Sequence, residues 1–140
     1  MLFRSRTSDN AIFGVPVKNP EAYGVMKFKE ESHNHLEYSA LEKVVEKPAE
    51  FVSNFAVPGV YFFDNRVVEK AKNVKPSARG ELEIVDVINS YIAEDKMYYE
   101  ILSDDMVWFD CGTHDHLLAA SNFIQAIQQR TNQIVGDINL

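Results

Sequence analysis

The 140-residue sequence has a single cysteine, no long apolar run and no cluster of basic residues. Cys111 has no partner within the chain, which excludes an internal disulfide. Because a membrane-spanning helix needs about 20 apolar residues and no signal peptide is visible, we expect a cytoplasmic protein with no membrane partner. The net charge of -7 disfavours a nucleic-acid partner, since phosphate backbones require clustered lysine and arginine. Nucleotides as small ligands stay open.

The sequence also lacks internal repeats and low-complexity segments, and its length fits one domain with a real core. Residues 1–10 are polar and without period, which predicts a disordered lead-in. Residues 131–140 lose the apolar period of the preceding segment and are interpreted as a C-terminal tail. The folded part is therefore predicted to cover residues 11–130.

Apolar patterning between these ends predicts an α/β fold, with a mixed sheet flanked by helices. Gly14 and Pro16 restrict the first predicted strand to a sheet edge or a bulge. Ser103, with the two aspartates after it, predicts a hairpin turn between the last two strands. The predicted strands are 11–17, 23–28, 41–45, 55–63, 96–102 and 106–109, and the predicted helices are 65–74, 84–92 and 113–130.

A charged pair, Glu46-Lys47, stands where a predicted strand ends, because Pro48 has no amide hydrogen to donate. A carboxylate accepts hydrogen bonds from sugar hydroxyls, and an ammonium group is suited to phosphate. The pair therefore fits a sugar phosphate. A solvated ion pair at the end of a strand explains the same two residues.

The apolar stretch 55–63 follows this pair and has the composition of a strand covered on both faces. Pro58-Gly59 within it indicates a bulge or a close backbone approach. Gly24, at the start of an earlier strand, would let a ligand approach the backbone closely; a plain turn glycine is the alternative.

Arg79 lies just before the N-terminus of the helix predicted at 84–92, where a cation alone is poorly placed. An anion bound between the arginine and the helix would resolve this conflict. An ordinary surface arginine is the alternative.

Asp110 falls between a predicted strand end and a helix that Thr113 caps, a position that suits a Mg²⁺ ligand at the mouth of an α/β sheet. The aspartate could also merely accept hydrogen bonds from backbone amides. His33 and His35 share one face if they lie in a strand, but no suitably spaced partner completes a metal site. His114 and His116 are two apart on a predicted helix, so their side chains point to different faces.

Five blocks of sequence, taken together, resemble the sugar-1-phosphate nucleotidyltransferases, and among them the bacterial thymidylyltransferases that act on glucose 1-phosphate. The resemblance runs in order from about residue 10 to residue 130. The blocks are A-I-F-G-V-P-V-K-N-P-E-A-Y-G-V, V-E-K-P, S-N-F-A-V-P-G-V-Y-F-F-D, K-P-S-A-R-G-E-L-E-I-V-D-V-I-N and W-F-D-C-G-T-H-D-H-L-L-A-A-S-N-F-I.

The resemblance implies transfer of a thymidylyl group from dTTP to glucose 1-phosphate with Mg²⁺, releasing pyrophosphate, as in nucleotide-sugar biosynthesis. In that family the sugar phosphate attacks the α-phosphorus directly, so the protein acts by positioning and charge neutralisation. It implies catalytic roles for Lys47 on the sugar phosphate and for Arg79 on phosphate oxygens. Glu46 would bind sugar hydroxyls, and Asp110 would be one of two metal carboxylates. The residues expected to border the sugar are Tyr23, Gly24, Val57 and Tyr61.

Several features depart from the family pattern. Phe55 replaces a tyrosine, Pro58 and Cys111 replace threonines, and segment 29–40 is longer than usual. The family's Gly-rich phosphate loop and second metal aspartate have no counterpart in the sequence. We therefore expect a partial nucleotide-diphospho-sugar transferase fold that lacks the N-terminal nucleotide-binding half and is inactive in isolation. Uncovered sheet edges would then favour a homo-oligomer.

Two other functions stay open. The chain could be a non-catalytic sugar-phosphate-binding or oligomerising remnant of such an enzyme. It could also be a metal-dependent phosphohydrolase that uses Asp104, Asp105, Asp110 and the histidines.

Overall fold

The computed structural model describes residues 10–29, 41–103 and 106–136. The chain divides into two compact units, Met1–Met106 and Val107–Leu140. The first unit contains a six-stranded mixed sheet with two α-helices, and the second contains one long helix. The predicted α/β class, a mixed sheet flanked by helices, is confirmed.

Strands and helices alternate irregularly along the chain. The strands are β1 (Ala11–Pro16), β2 (Gly24–Phe28), β3 (Leu41–Glu46), β4 (Phe55–Ala56), β5 (Tyr61–Phe62) and β6 (Tyr98–Ile101). The helices are a 3₁₀ turn (Pro20–Ala22), α1 (Val67–Lys72), α2 (Ile84–Ile92) and α3 (His114–Thr131).

Strand β1 lies inside the sheet, so of the two predicted alternatives, a sheet edge or a bulge, the edge is wrong. The strand order is β3-β2-β4-β1-β5, and β6 pairs with β1 in parallel. The two antiparallel partners of β1 use different parts of it, with Ile12 opposite Tyr61 and Val15 opposite Ala56. The proline that suggested an edge is the last residue of the strand, where a missing amide costs little pairing.

Two further strand predictions are wrong. The stretch 55–63 forms two short strands, β4 and β5, rather than one, because the chain leaves the sheet at Pro58-Gly59. Phe62 is 48% exposed, so the second of them is not covered on both faces. Residues 106–109 form no strand, and the partner of β6 is β1 instead of a hairpin neighbour.

Helix α2 supplies the layer that covers the sheet. Its buried side chains are Val85, Val87, Ile88 and Tyr91. They share a core with Ile12 and Met26 of the sheet, both of which have no exposed surface. Because α2 packs against β3, this core fixes the end of the strand that carries the charged pair.

Asn10, assigned by its sequence to the lead-in, is buried at 2% exposure. Its side-chain amide donates to the Lys96 carbonyl at 3.1 Å and accepts from the Asp64 amide at 2.7 Å. The predictions for residues 1–9, for His33 and His35, and for Asp104 and Asp105 lie outside the described residues. Within the described part of the chain, no helix is long and apolar enough to cross a membrane.

Candidate functional site

The site begins where β3 ends beside β2. Glu46 stands opposite Gly24 in the antiparallel register of the two strands. The Lys47 amide donates to the Tyr23 carbonyl at 2.9 Å, and the Val57 amide donates to the Gly24 carbonyl at 2.8 Å. Backbone hydrogen bonds therefore bring five of the predicted sugar-site residues together.

Gly24 leaves room for the Glu46 carboxylate. A Cβ atom at Gly24 would lie 3.1 Å from Glu46 Oε2 and 3.3 Å from Val85 Cγ2. Contacts this short would force the carboxylate to move. Gly24 is thus more than the plain turn glycine of the alternative interpretation, because it is the first residue of β2 and its missing side chain makes space for an acceptor.

Arg79 approaches the same carboxylate from the loop before α2. Its Nη2 atom lies 3.5 Å from Glu46 Oε1, 3.1 Å from Glu81 Oε2 and 2.7 Å from Glu83 Oε1. A cation near the N-terminus of a helix is unfavourable, and these carboxylates compensate for it without a bound anion. The sequence argument for an anion at Arg79 overlooked them.

Glu83 is a residue of the candidate site that the sequence argument missed. Its side chain is 13% exposed, against 65% for Glu81, and the Ser77 hydroxyl donates to it at 3.0 Å. The hydrogen bond from Arg79 lowers the pKa of Glu83, with a smaller electrostatic contribution from Lys47. The available signal was the i,i+4 spacing of Arg79 and Glu83, which favours an ion pair.

Tyr61 lies near the negative charge of Glu46. Burial raises the pKa of its hydroxyl, and the nearby Glu46 carboxylate raises it further. Its ring stacks on Phe63 with centroids 6.1 Å apart. The hydroxyl stays protonated and can donate a hydrogen bond near Glu46.

The backbone of Lys47 has a left-handed conformation, with φ of 40°. This region is costly for a residue with a side chain, by about 1–2 kcal/mol. The hydrogen bond to the Tyr23 carbonyl and the buried Pro48 hold the chain in it. Such strain clusters at functional sites, where neighbouring structure over-determines it.

Asn89 of α2 holds the outer edge of β3. Its side-chain amide accepts from the Val44 amide at 2.8 Å and donates to the Val44 carbonyl at 2.9 Å. The amide therefore replaces a neighbouring strand at this edge. A cavity of about 550 Å³ lies between β3, the loop 75–79 and α2, with Glu46 and Arg79 among its lining residues.

Asp110 belongs to the second unit, where it is exposed before α3. Thr113 caps that helix as predicted, accepting from the His116 amide at 3.2 Å, and His116 Nδ1 lies 2.9 Å from the Asp110 carbonyl oxygen. The Asp110 carboxylate lies close to Gly112, where an added Cβ atom would be 3.3 Å from Asp110 Oδ2. An exposed carboxylate suits a hard cation that keeps several waters.

The structure thus assembles seven predicted site residues in the first unit and holds the eighth in the second. In the described ranges, no three His, Cys, Asp or Glu side chains come together to hold a metal ion. The metal role of Asp110 stays a prediction, for which the structure offers one exposed carboxylate. The phosphohydrolase alternative finds no metal cluster in that part of the chain.

Comparisons with known proteins identify the family of the chain. The profile of the nucleotidyl transferase family matches residues 2–127. A glucose-1-phosphate thymidylyltransferase of Neisseria meningitidis is 41% identical over 128 residues, which cover 91% of this chain and 42% of that protein. One from Mycobacterium tuberculosis is 43% identical over 123 residues, covering 88% and 40%. The chain therefore spans less than half the length of these relatives.

Solved structures show the same fold. A Bacillus anthracis protein crystallised with sucrose superposes with a TM-score of 0.67 at 33% identity, covering 84% of this chain and 44% of that one. A UDP-glucose pyrophosphorylase bound to UDP-glucose reaches 0.69 at 23% identity, again over 84% and 44%. Since the family profile extends over nearly the whole sequence, the chain belongs to the nucleotidyl transferase family.

Proposed function

We propose that the chain provides the sugar-phosphate side of a nucleotidyltransferase site that transfers a thymidylyl group from dTTP to glucose 1-phosphate. The observation that carries this proposal is the position of the Glu46 carboxylate, beside Gly24 and 3.5 Å from Arg79, with Lys47 next in the chain. The end of one strand and one loop together present a hydrogen-bond acceptor and two cations. This combination suits a sugar phosphate better than an unphosphorylated sugar or a free phosphate.

Each residue has a distinct task in this proposal. Glu46 accepts hydrogen bonds from sugar hydroxyls, and Tyr61 donates one beside it. Lys47 and Arg79 contact the phosphate, the first as a compact charge and the second through its planar fork. Tyr23, Gly24 and Val57 border the sugar with backbone and apolar surface.

The reaction needs no covalent link to the protein. A phosphate oxygen of the sugar attacks the α-phosphorus of dTTP, the bond to the next phosphate breaks, and pyrophosphate leaves. Lys47 and Arg79 reduce the repulsion between the two negatively charged reactants. Mg²⁺, when bound, would neutralise phosphate oxygens, and Asp110 would supply one of its ligands. The choice of dTTP rests on the relatives alone.

Binding by the 140-residue chain tests the first half of the proposal. Glucose 1-phosphate is titrated into the ¹⁵N-labelled protein, with and without Mg²⁺, and amide shifts are followed. We expect saturable shifts at Gly24, Lys47 and Val57. Lys72→Ala, which removes an exposed lysine of α1, should behave as the wild type. Absence of saturation at any concentration up to tens of millimolar would refute the binding site.

Activity tests the second half. The matching region of the Neisseria meningitidis relative is replaced by this chain, and pyrophosphate release from dTTP and glucose 1-phosphate is measured. The chimera should be active, and the 140-residue chain alone should not. Asp110→Asn should lower kcat of the chimera by about 100-fold or more, as loss of charge stabilisation does, whereas Asp115→Asn should not. A folded but inactive chimera would contradict the assignment.

A non-catalytic sugar-phosphate-binding protein is the second candidate, since the seven residues that would bind the sugar phosphate lie in the first unit, whereas Asp110 lies in the second. It predicts normal binding of glucose 1-phosphate and an inactive chimera. The cytoplasmic location expected from the sequence stays a prediction, for which cell fractionation with a tagged chain is the test.

A further inference from the structure

Three carboxylates contact Arg79, and all of them lie nearest to one nitrogen. In the described part of the chain, Nη2 is the nitrogen nearest to Glu46, Glu81 and Glu83, and the side-chain hydrogen bonds of Arg79 to carboxylates all come from Nη2. A guanidinium group carries five N–H donors in a fixed fork. The remaining donors are therefore available to a second acceptor, without loss of the shortest contact.

The three contacts differ in strength. The distance of 2.7 Å to Glu83 is that of a charge-assisted hydrogen bond, and this side chain is 13% exposed. The distance of 3.5 Å to Glu46 is at the limit of a hydrogen bond. An acceptor that draws the arginine toward itself would break the contact with Glu46 first.

Glu46 is also the group that the proposed function assigns to sugar hydroxyls. While Arg79 lies against it, one carboxylate oxygen is engaged by a cation and accepts more weakly from a hydroxyl. We propose that Arg79 makes the site selective for phosphorylated sugars, because the phosphate moves Arg79 away from Glu46 and so frees that carboxylate for the sugar. This inference rests on the proposed function.

Glu83 acts in this scheme as a positioning residue. It keeps Arg79 beside the site when the contact with Glu46 is lost, and the Ser77 hydroxyl holds Glu83 in turn at 3.0 Å. Glu81 contacts the same nitrogen but is 65% exposed, so solvent screening weakens its hold. The two glutamates form a matched pair of test positions.

The test compares glucose 1-phosphate with unphosphorylated glucose. Both are titrated into the wild-type chain and into Arg79→Met, which keeps the stem of the side chain and removes the charge. Arg79→Met should weaken binding of glucose 1-phosphate by about 10- to 150-fold, as expected for charge-assisted hydrogen bonds. The same variant should bind glucose about two- to fivefold more tightly, the range for an exposed ion pair.

The increase in glucose affinity is the decisive readout, because a variant that merely damages the site would weaken both ligands. If Arg79→Met binds glucose equally or less well than the wild type, the coupling is wrong, even when glucose 1-phosphate binding confirms the proposed function. If the wild type binds no glucose 1-phosphate, the proposed function itself fails.

Glu83→Gln tests the positioning role. Without the Glu83 charge, Arg79 should settle on Glu46, and binding of glucose should weaken by at least threefold. In the Arg79→Met background the same substitution should leave glucose binding unchanged, whereas mere damage to the site would weaken it there too. Glu81→Gln should change the affinity for glucose less than Glu83→Gln does. Equal effects of the two substitutions would overturn the assignment to Glu83, and thermal unfolding of each variant verifies that it is folded.

Discussion

Two arginines of the first unit form ion pairs with carboxylates in different ways. Arg66 uses all three of its nitrogens: Nε and Nη2 contact Asp64 at 2.8 and 2.7 Å, and Nη1 contacts Glu94 at 3.1 Å. Arg79 forms its hydrogen bonds to carboxylates through Nη2 alone in the described structure. The acceptors are distributed differently around the two guanidinium groups, and our proposal assigns binding to Arg79 and a structural role to Arg66 on this difference.

The surroundings of Arg66 agree with a structural role. Its guanidinium carbon lies 5.4 Å from the centre of the Tyr91 ring, and Lys70 lies 4.5 Å from the same ring. The fully buried Tyr91 donates its hydroxyl to Asp64 at 2.7 Å. This cluster therefore joins the start of α1 to the last turn of α2.

Substitution by lysine should distinguish the two arginines most clearly, since lysine keeps the charge and loses the planar fork. Arg79→Lys should weaken binding of glucose 1-phosphate by about tenfold or more, with little change in the unfolding temperature. Arg66→Lys should lower the unfolding temperature and leave binding within about twofold. Calorimetry of ligand binding and of thermal unfolding on the same samples decides, and equal binding losses in both variants would contradict the distinction.

The left-handed backbone of Lys47 has a matched control in Asp95, with φ of 55°. At each position, glycine should give a more stable protein than alanine, by about 0.5–1 kcal/mol, because it avoids the Cβ strain. Only the substitutions of Lys47 should reduce binding of glucose 1-phosphate. Urea unfolding would measure the difference, and an alanine variant as stable as the glycine variant would show that Lys47 is not strained.

Acid should weaken the Arg66 cluster in a defined direction. The hydrogen bond from Arg66 lowers the pKa of Asp64 from its model-peptide value of 3.8. A carboxyl group whose pKa is lower in the folded state stabilises fully above its unfolded pKa, and this stabilisation is lost as pH falls below it. The urea midpoint should therefore fall on going from pH 5 to pH 3, and Asp64→Asn should reduce this fall. An unchanged fall in the variant would assign it to other groups.

The smallest expected effect concerns self-association, where apolar rather than charged surface is at issue. Helix α3 exposes Leu117 at 53% and Leu118 at 60%. Exposed apolar side chains favour pairing with another copy, so we keep the prediction of a homo-oligomer. Sedimentation at micromolar concentration should show an assembly that Leu118→Gln weakens. A monodisperse monomer would remove the prediction.

The parts of the fold that the sequence predicts well are those set by local chemistry. Pro48 ends β3 where expected, Thr113 caps α3, and the apolar period of α2 marks its buried face. Errors occurred where tertiary pairing decides. The parallel partner of β1 lies 87 positions away, as in the pair Ala11 and Tyr98, so no local pattern could show that the strand is central.

In the candidate site, too, the locally determined features could be predicted and the tertiary contacts could not. Adjacent residues such as Glu46 and Lys47 could be assigned from a strand end and a proline. The partners of Arg79 could not, because Glu46 lies 33 positions from it and approaches only through the packing of α2 on β3. The bond between Asn89 and Val44, 45 positions apart, was hidden for the same reason.

The proposed contact between Lys47 and the phosphate of the sugar is tested most directly by kcat/KM for glucose 1-phosphate. In the active chimera, kcat/KM for glucose 1-phosphate is measured for the wild type and for Lys47→Ala. Loss of a charge-assisted contact predicts a decrease of about 10- to 150-fold, while the unfolding free energy without ligand changes by no more than about 0.5 kcal/mol. A decrease of less than about threefold in a folded variant would contradict the phosphate assignment.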